Sequence, residues 1–169
     1  MASKKPTRKK LQDIRLLLLD VDGVMTDGGI YFSEHGDELK KFSILDGYGI
    51  VKLQRSGVAV GIVTGRNSRL VARRAEELGI REVYQNLENK LEVYEQIKRK
   101  RNLSDSQVAY IGDDEPDIPV MKKVGIAACP ANAVPAVIRS AHYVCRKRGG
   151  DGAVREVIDL ILGSKVHEP

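Results

Sequence analysis

The segment RLLLLDVDGVMTDG, residues 15–28, joins a run of consecutive apolar residues to a pair of aspartates. An apolar run of this length, ended at once by charge, is typical of a strand that is covered on both faces in a parallel α/β sheet. We therefore predict a buried strand over 15–20. Asp20 and Asp22 then lie at its carboxyl end with their side chains on one side, where α/β sheets bind ligands.

The rest of the chain alternates between short apolar runs and stretches with helical spacing. Further strands are predicted at 58–63, 82–84, 108–112, 124–128 and 142–145. Apolar residues three or four apart predict helices at 47–56, 67–78, 89–101, 118–123, 132–140 and 153–162. This alternation predicts an α/β fold with a doubly wound parallel sheet, in a single domain over 13–169.

One stretch departs from the alternation of strand and helix. GGIYFSEHGDELKKFSI, residues 28–44, has two runs of β-forming residues around a polar turn at 35–37, which predicts a β-hairpin. The insertion covers about 28–45 and directly follows the two aspartates. We expect it to stand over the site as a flap, and we predict neither a cap domain nor an internal repeat.

The net charge of +5 is concentrated at the start of the chain, because the first ten residues carry five basic side chains and no acid. We predict a disordered, solvated tail over 1–12 and no nucleic-acid partner. The apolar run at 16–19 is too short for a signal peptide or a membrane span. Cys129 and Cys145 cannot form a disulfide framework. A cytoplasmic protein without a membrane partner is the expectation.

A second acidic cluster, GDDEPD at 112–117, follows another predicted strand. The ends of two central strands are neighbours in such a sheet, so Asp113 can complete a metal site begun by Asp20. Crowded carboxylates at a buried strand end are unfavourable unless a cation joins them, and Mg²⁺ prefers such ligands together with substrate phosphate. The alternatives are an acidic turn at 20–28 and an Asp117 that only caps the next helix. Asp114 faces either the site or solvent.

Two further segments contain candidates for binding phosphate. IVTGR, residues 62–66, ends a predicted strand with Thr64, and its hydroxyl and the N–H of Gly65 are candidate donors to phosphoryl oxygens. Lys90 begins a predicted helix. Taken singly, a Thr-Gly turn is common and a Lys at a helix start is usually solvated. The order of the aspartate pair, Thr, Lys and acidic cluster, each near a strand end or helix start, favours one shared site.

This ordered set resembles the four motifs of the haloacid dehalogenase-like superfamily. Over 14–162 the chain is also similar to the 3-deoxy-D-manno-octulosonate 8-phosphate phosphatases, through DGYGI, IVTGR, NKLEVY, AYIGDD with PVMKKVG, and GGDGAVREV. The resemblance implies a Mg²⁺-dependent phosphatase without a large cap that hydrolyses this sugar-acid phosphate through an aspartyl phosphate, in lipopolysaccharide precursor synthesis. It also implies a homotetramer formed through the hairpin, in which a neighbour helps to close each site. GGDGAVREV either reaches a site in that oligomer or is a glycine-rich helix entry.

The resemblance implies roles for the residues that match the motifs. Asp20 is the nucleophile and a Mg²⁺ ligand. Asp22 is the general acid and base and lends its backbone carbonyl to the metal, and Asp113 is the remaining side-chain ligand.

The other matching residues are implied to contact the substrate or to support those contacts. Thr64 and Lys90 hold the phosphoryl group, and Asp117 orients Lys90 or a water on the metal. The implied contacts to the sugar acid are Ser43, Ile44, Leu45, Asp46, Gly47, Gly65, Arg66, Arg74 and Lys90.

Three alternatives to this function are weighed. The related enzymes carry an Arg after DGYGI where this chain has Val51, so a phosphatase for a nine-carbon sugar acid 9-phosphate is the nearest alternative. A non-enzymatic phosphorelay receiver domain also combines acids, Thr and Lys on a doubly wound sheet. In a receiver, however, the phosphorylated Asp ends a middle strand, and here the middle strand ends in Thr64. An inactive binding protein is disfavoured by the complete set of acids.

Overall fold

A computed structural model of the chain describes residues 6–165 and shows a six-stranded parallel sheet in the order β5-β4-β1-β6-β7-β8, with β2 and β3 in a separate two-stranded sheet. The strands are β1 Leu16–Leu19, β2 Tyr31–Phe32, β3 Glu38–Leu39, β4 Ala59–Val63, β5 Glu82–Tyr84, β6 Val108–Ile111, β7 Ile126–Cys129 and β8 Tyr143–Val144. In β1, Leu19 lies level with Ile62 on one side and Ile111 on the other. The residues that follow these three central strands therefore meet at one edge.

Helices cover both faces of the sheet, as a doubly wound fold requires. They are α1 Arg8–Asp13, α2 Ile44–Arg55, α3 Arg69–Glu77, α4 Lys90–Lys100, α5 Ile118–Met121, α6 Pro135–Ser140 and α7 Ala153–Lys165. Successive leucines of β1 point to opposite faces. Leu17 and Leu19 join one buried cluster, which includes apolar residues of α2, α3 and α7, and Leu16 and Leu18 join a second cluster with residues of α4, α5 and α6. The predicted fold class is confirmed.

Helix α2 begins three residues before the predicted start at 47, and shifts of the same size occur at the start of α6, predicted at 132, and at the end of α7, predicted at 162. Ser43 caps α2, because its hydroxyl oxygen accepts a hydrogen bond of 3.3 Å from the backbone N–H of Asp46. A serine cap in front of two apolar residues, Ile44 and Leu45, extends the helix into the segment that the hairpin prediction had included.

The predicted disordered tail is wrong for residues 8–12, which form most of α1. Leu11 is buried, and the Nε2 of Gln12 donates a hydrogen bond of 2.8 Å to the carbonyl of Ser164 in α7. A single apolar residue among many charges was too weak a signal to reveal this contact between the ends of the chain. The part of the predicted tail at 1–5 lies outside the described residues.

The hairpin is confirmed as an antiparallel pair that follows β1, with Tyr31 opposite Leu39 and Phe32 opposite Glu38. Its turn is closed by a hydrogen bond of 2.9 Å from the backbone N–H of Ser33 to the carbonyl of Asp37. Within residues 6–165 there is no cap domain beyond this ribbon. None of the helices over the same range is long and apolar enough to cross a membrane.

Candidate active site

Three carboxylates meet at the carboxyl edge of the central strands. Asp20 directly follows β1, whereas Asp113 and Asp117 come from the loop and the short 3-10 turn after β6. Each offers one oxygen, and these oxygens all lie within 4.8 Å of one another. Because β1 and β6 are hydrogen-bonded neighbours, the sheet itself brings Asp20 and Asp113 together, although they are far apart in the chain.

Lys90, the first residue of α4, lies among these carboxylates. Its Nζ is 2.8 Å from the Oδ1 of Asp20 and 2.7 Å from the Oδ1 of Asp117. The side chain is 7% exposed, and a lysine is almost never this buried unless it is paired. Lys90 therefore holds one oxygen of Asp20 in place while it balances part of the negative charge.

Asp117 links Lys90 to the loop that carries Asp113. Its Oδ1 also accepts a hydrogen bond of 2.6 Å from the hydroxyl of Tyr110, which is fully buried in β6. Its Oδ2 accepts bonds of 3.0 Å and 3.2 Å from the backbone N–H groups of Asp113 and Asp114. With both oxygens engaged, Asp117 fixes the position of the Lys90 ammonium and the shape of the acidic loop.

The carboxylate cluster carries more negative charge than Lys90 can balance. Burial, together with the charges of Asp20 and Asp117, raises the pKa of Asp113 to about 8. Burial and Asp117 raise the pKa of Asp20 to about 6, even though Lys90 lowers it. The Oδ1 of Asp113 is buried and has no hydrogen-bond partner among the described residues. A buried carboxylate oxygen without a donor fits a hard oxygen-ligated cation, and the set of donors suits Mg²⁺.

Two glycines leave space for the carboxylates, Gly23 for Asp113 in the other acidic loop and Gly112 for Asp117 in its own loop. A Cβ on Gly23 would lie 2.0 Å from the Oδ2 of Asp113, and Gly23 has a φ of +88°, which L side chains rarely adopt. A Cβ on Gly112 would lie 2.4 Å from the Cβ of Asp117. The glycine that follows the aspartate pair is therefore more than a turn residue, because it provides the space for the carboxylate of Asp113.

The side chain of Asp22 points to the hairpin. Its Oδ1 accepts a short hydrogen bond from the Nζ of Lys40, which also lies 3.3 Å from the Oε1 of Glu38. Arg66, after β4, donates from Nη2 to the same Glu38 oxygen at 3.1 Å, and its Nε lies 4.0 Å from the Oδ2 of Asp22. The flap thus contacts the site through one basic side chain, Lys40, and one acidic side chain, Glu38.

Sequence reasoning missed three of these residues, namely Glu38, Lys40 and Tyr110. The alternation of the second hairpin strand was a usable signal, because residues 38 and 40 share a face that Leu39 does not. The hydroxyl of Tyr110 was a second one, since a buried tyrosine needs a partner for its O–H.

The predicted phosphate corner lies at the same edge of the sheet. Thr64 follows β4, is buried, and is anchored through its backbone, since its N–H donates to the carbonyl of Tyr84 at 3.0 Å and its carbonyl accepts from the N–H of Leu87 at 3.3 Å. Gly65 and Arg66 come next in the chain. A backbone held at both ends presents the hydroxyl and the following N–H groups in a defined direction.

The predicted contacts to the sugar acid are placed around the start of α2. Ile44 and Leu45 are exposed. Asp46 is buried, and its Oδ1 accepts a hydrogen bond of 2.8 Å from the N–H of Arg155, so that it caps α7. This contact of Asp46 is structural, and a contact between Asp46 and the sugar acid stays a prediction.

Arg74, in α3, is also engaged by the start of α2. Its Nη2 donates to the carbonyl of Ser43 at 3.3 Å, and a Cβ on Gly47 would lie 2.3 Å from the same nitrogen. The guanidinium therefore packs directly on the first turn of α2, and contact between Arg74 and a substrate likewise stays a prediction.

The glycine-rich segment at 149–152 packs on its own chain. The N–H of Gly150 donates to the carbonyl of Val24 at 3.0 Å, and a Cβ on Gly149 would lie 1.7 Å from the carbonyl oxygen of Gly23. These glycines allow the entry to α7 to press against the loop that follows the aspartate pair. The described contacts of this segment are therefore with the loop after Asp22 in the same subunit.

Comparison with known proteins agrees with this geometry. Residues 79–158 match the family model described as haloacid dehalogenase-like hydrolase. The 3-deoxy-D-manno-octulosonate 8-phosphate phosphatase KdsC of Yersinia pestis is 49% identical over 91% of this chain and 82% of its own length. KdsC of Escherichia coli K12 is 49% identical over 90% of this chain and 81% of its own.

Solved structures give the same result. That of the Yersinia pestis phosphatase superposes with a TM-score of 0.91 at 48% identity, covering 94% of this chain and 85% of that one. That of the Moraxella catarrhalis phosphatase, in complex with magnesium, phosphate and KDO, has a TM-score of 0.90 at 39% identity and covers 93% and 90%. The chain belongs to the haloacid dehalogenase-like hydrolases and, within them, to the family of 3-deoxy-D-manno-octulosonate 8-phosphate phosphatases.

Proposed function

We propose that this chain is a Mg²⁺-dependent phosphatase that hydrolyses 3-deoxy-D-manno-octulosonate 8-phosphate to the free sugar acid and phosphate. The observation that carries the proposal is the Asp20 carboxylate, held 2.8 Å from the Lys90 ammonium at the end of β1 and beside Asp113 and Asp117. This arrangement belongs to a chain that is 49% identical to phosphatases for this sugar-acid phosphate.

Asp20 is the nucleophile in the proposed reaction. Lys90 binds its Oδ1 and so fixes the direction of the carboxylate, which attacks phosphorus as the ester P–O bond breaks. An aspartyl phosphate forms, and the departing alkoxide takes a proton from Asp22. In the second step Asp22 accepts a proton from water as that water attacks phosphorus, which releases phosphate and restores Asp20.

Mg²⁺, when bound, neutralises charge on the phosphoryl oxygens. The residues that would hold it are Asp20 and Asp113 through their side chains and Asp22 through its backbone carbonyl. Asp117, whose oxygens are all engaged by Lys90, Tyr110 and backbone N–H groups, orients the lysine.

The rate enhancement must come from several groups together, because enzymes that hydrolyse phosphate monoesters accelerate the reaction by up to about 10²¹. Thr64 and Lys90 bind the phosphoryl oxygens, and a positioned acid such as Asp22 contributes typically about 10² to 10⁴. Arg66, which is half exposed beside Asp22, is placed to meet the carboxylate of the sugar acid.

A homotetramer formed through the hairpin is part of the proposal. A two-stranded ribbon is marginally stable unless it packs against something. The hairpin and the start of α2 nevertheless carry most of the exposed large apolar side chains in the described chain, namely Ile30, Tyr31, Phe32, Leu39, Ile44, Leu45 and Tyr48. Contact between neighbouring hairpins would cover them. Analytical ultracentrifugation should show a tetramer at micromolar concentration, and a fully active monomer would rule out the assembly.

A panel of sugar-acid phosphates tests the substrate. The expected result is the highest kcat/KM for the eight-carbon 8-phosphate, lost with chelator and restored by Mg²⁺. A higher kcat/KM for a nine-carbon 9-phosphate would favour the alternative raised by Val51, and full turnover in excess chelator would exclude the metal.

A further inference from the structure

We propose that Lys40 of the hairpin is a positioning residue for the general acid, because it holds the Asp22 side chain in the orientation that proton transfer to the leaving group requires. This inference rests on the proposed phosphatase function and adds to it a residue outside the four family motifs. It also gives the flap a role in the chemistry of its own subunit.

The burial of Lys40 is the first observation. Its side chain is 1% exposed, although it belongs to a surface ribbon whose other residues are largely exposed. Burial of a lysine is unfavourable unless its ammonium is paired. The Nζ donates to the Oδ1 of Asp22 and lies 3.3 Å from the Oε1 of Glu38, so its charge is balanced on two sides.

The direction of the hairpin strand explains how Lys40 reaches the site. Side chains alternate along an extended strand, and here Glu38 and Lys40 are shielded while Leu39 and Lys41 are exposed. Glu38 and Lys40 therefore share the face that covers Asp22. Lys41 has the same charge on the opposite face, which makes it a matched control.

The two carboxylate oxygens of Asp22 have different surroundings. Among residues 6–165, Lys40 is the hydrogen-bond donor to the side chain of Asp22, and it donates to Oδ1. The Nε of Arg66 is 4.0 Å from Oδ2, which is beyond hydrogen-bond distance. One oxygen is thus held by the flap, while the other is left to carry the proton.

Glu38 holds this arrangement in place. It accepts a hydrogen bond of 3.1 Å from the Nη2 of Arg66, so the hairpin is tied to the loop after β4 as well as to Asp22. Removal of the Lys40 ammonium leaves Asp22, whose side chain is 26% exposed, without that donor and able to turn toward solvent. A misplacement of about 1 Å can reduce a rate by about 10².

A comparison of two leaving groups distinguishes a role in proton transfer from a purely structural role. Departure of a sugar alkoxide needs a proton, whereas 4-nitrophenolate leaves without one. For the aryl ester, kcat/KM reports only the steps up to leaving-group departure. Lys40→Met should therefore lower kcat/KM for the sugar-acid phosphate by about 10- to 100-fold through kcat, with KM within about threefold, and lower kcat/KM for 4-nitrophenyl phosphate by less than about threefold. Lys41→Met should match the wild type on both.

Equal losses on both substrates, no loss on either, or a loss confined to KM of the sugar-acid phosphate would each overturn the role of Lys40. A Lys41→Met enzyme with the same pattern would do so too. Failure of the proposed function looks different, because the wild type itself would then not hydrolyse 3-deoxy-D-manno-octulosonate 8-phosphate. The same comparison would then be made with whichever alkyl phosphate the wild type does hydrolyse.

Discussion

Replacement of Gly23 by alanine should disable the metal site while the fold survives. The added Cβ would lie 2.0 Å from the Oδ2 of Asp113, and ordinary van der Waals contact begins at 3.4 Å, so the carboxylate must retreat by about 1.4 Å. Mg²⁺ accepts ligands only near about 2.0–2.1 Å and in nearly ideal octahedral geometry. A displacement of this size removes Asp113 from coordination.

The expected loss has two parts that can be measured separately. Alanine at a φ of +88° adds backbone strain, which costs roughly 1–2 kcal/mol of unfolding free energy. The displaced carboxylate should weaken Mg²⁺ binding, measured by titration calorimetry, and lower kcat/KM by at least about 10²-fold. Urea denaturation reports the first part and the other two assays report the second.

Gly57 provides a matched control for the strain. It has a φ of +87°, and a Cβ there would meet no atom within 4 Å. Gly57→Ala should therefore lose a similar amount of unfolding free energy but keep Mg²⁺ affinity and turnover. If Gly23→Ala bound Mg²⁺ and turned over as well as Gly57→Ala, the close approach of Gly23 to Asp113 would not matter to the site, and the steric reasoning would be refuted.

Three further changes test separate parts of the site. Asp113→Asn should raise the melting temperature in chelator at a pH above about 8, where the raised pKa of Asp113 leaves a destabilising buried charge beside Asp20. It should also abolish the rise that Mg²⁺ produces in the wild type, and an undiminished rise would exclude Asp113 as a ligand. Tyr110→Phe removes a donor to the Asp117 carboxylate and should lower the unfolding free energy by about 1.5–3 kcal/mol in urea and also reduce kcat; unchanged kinetics would show that Tyr110 does not support Lys90. Asp46→Ala removes the cap of α7 and should cost about 0.5–2 kcal/mol in the same assay, with no loss expected if the cap is unimportant.

The fold was predictable because its signals are local and repeated. The four leucines of β1 are buried on both faces, as a continuous apolar run indicates, and every predicted strand of the main sheet has a counterpart within two residues of its predicted ends. Chain order then placed Asp20 and Asp113 at neighbouring strand ends, since sheets of this class bring such ends together.

The parts that were missed depend on contacts between distant segments. Leu11 looked like an isolated apolar residue in a basic tail, and only the position of α7 makes it part of the core. Lys40 looked like one of many surface lysines, because the sequence predicts a flap over the aspartates but does not show which face of that hairpin is turned toward Asp22. The spatial requirement at Gly23 likewise comes from a carboxylate that is far away in the chain.

Trapping the covalent intermediate tests the role of Asp20 most directly. The enzyme is mixed with substrate and Mg²⁺, quenched in acid within the first turnover, reduced with borohydride and digested with trypsin, so that an aspartyl phosphate is read as homoserine in the peptide 16–40. The predicted result is homoserine at position 20, absent without Mg²⁺ and absent in Asp20→Asn, which should be folded and inactive. Homoserine at another aspartate, or an Asp20→Asn enzyme that still turns over, would contradict nucleophilic attack by Asp20.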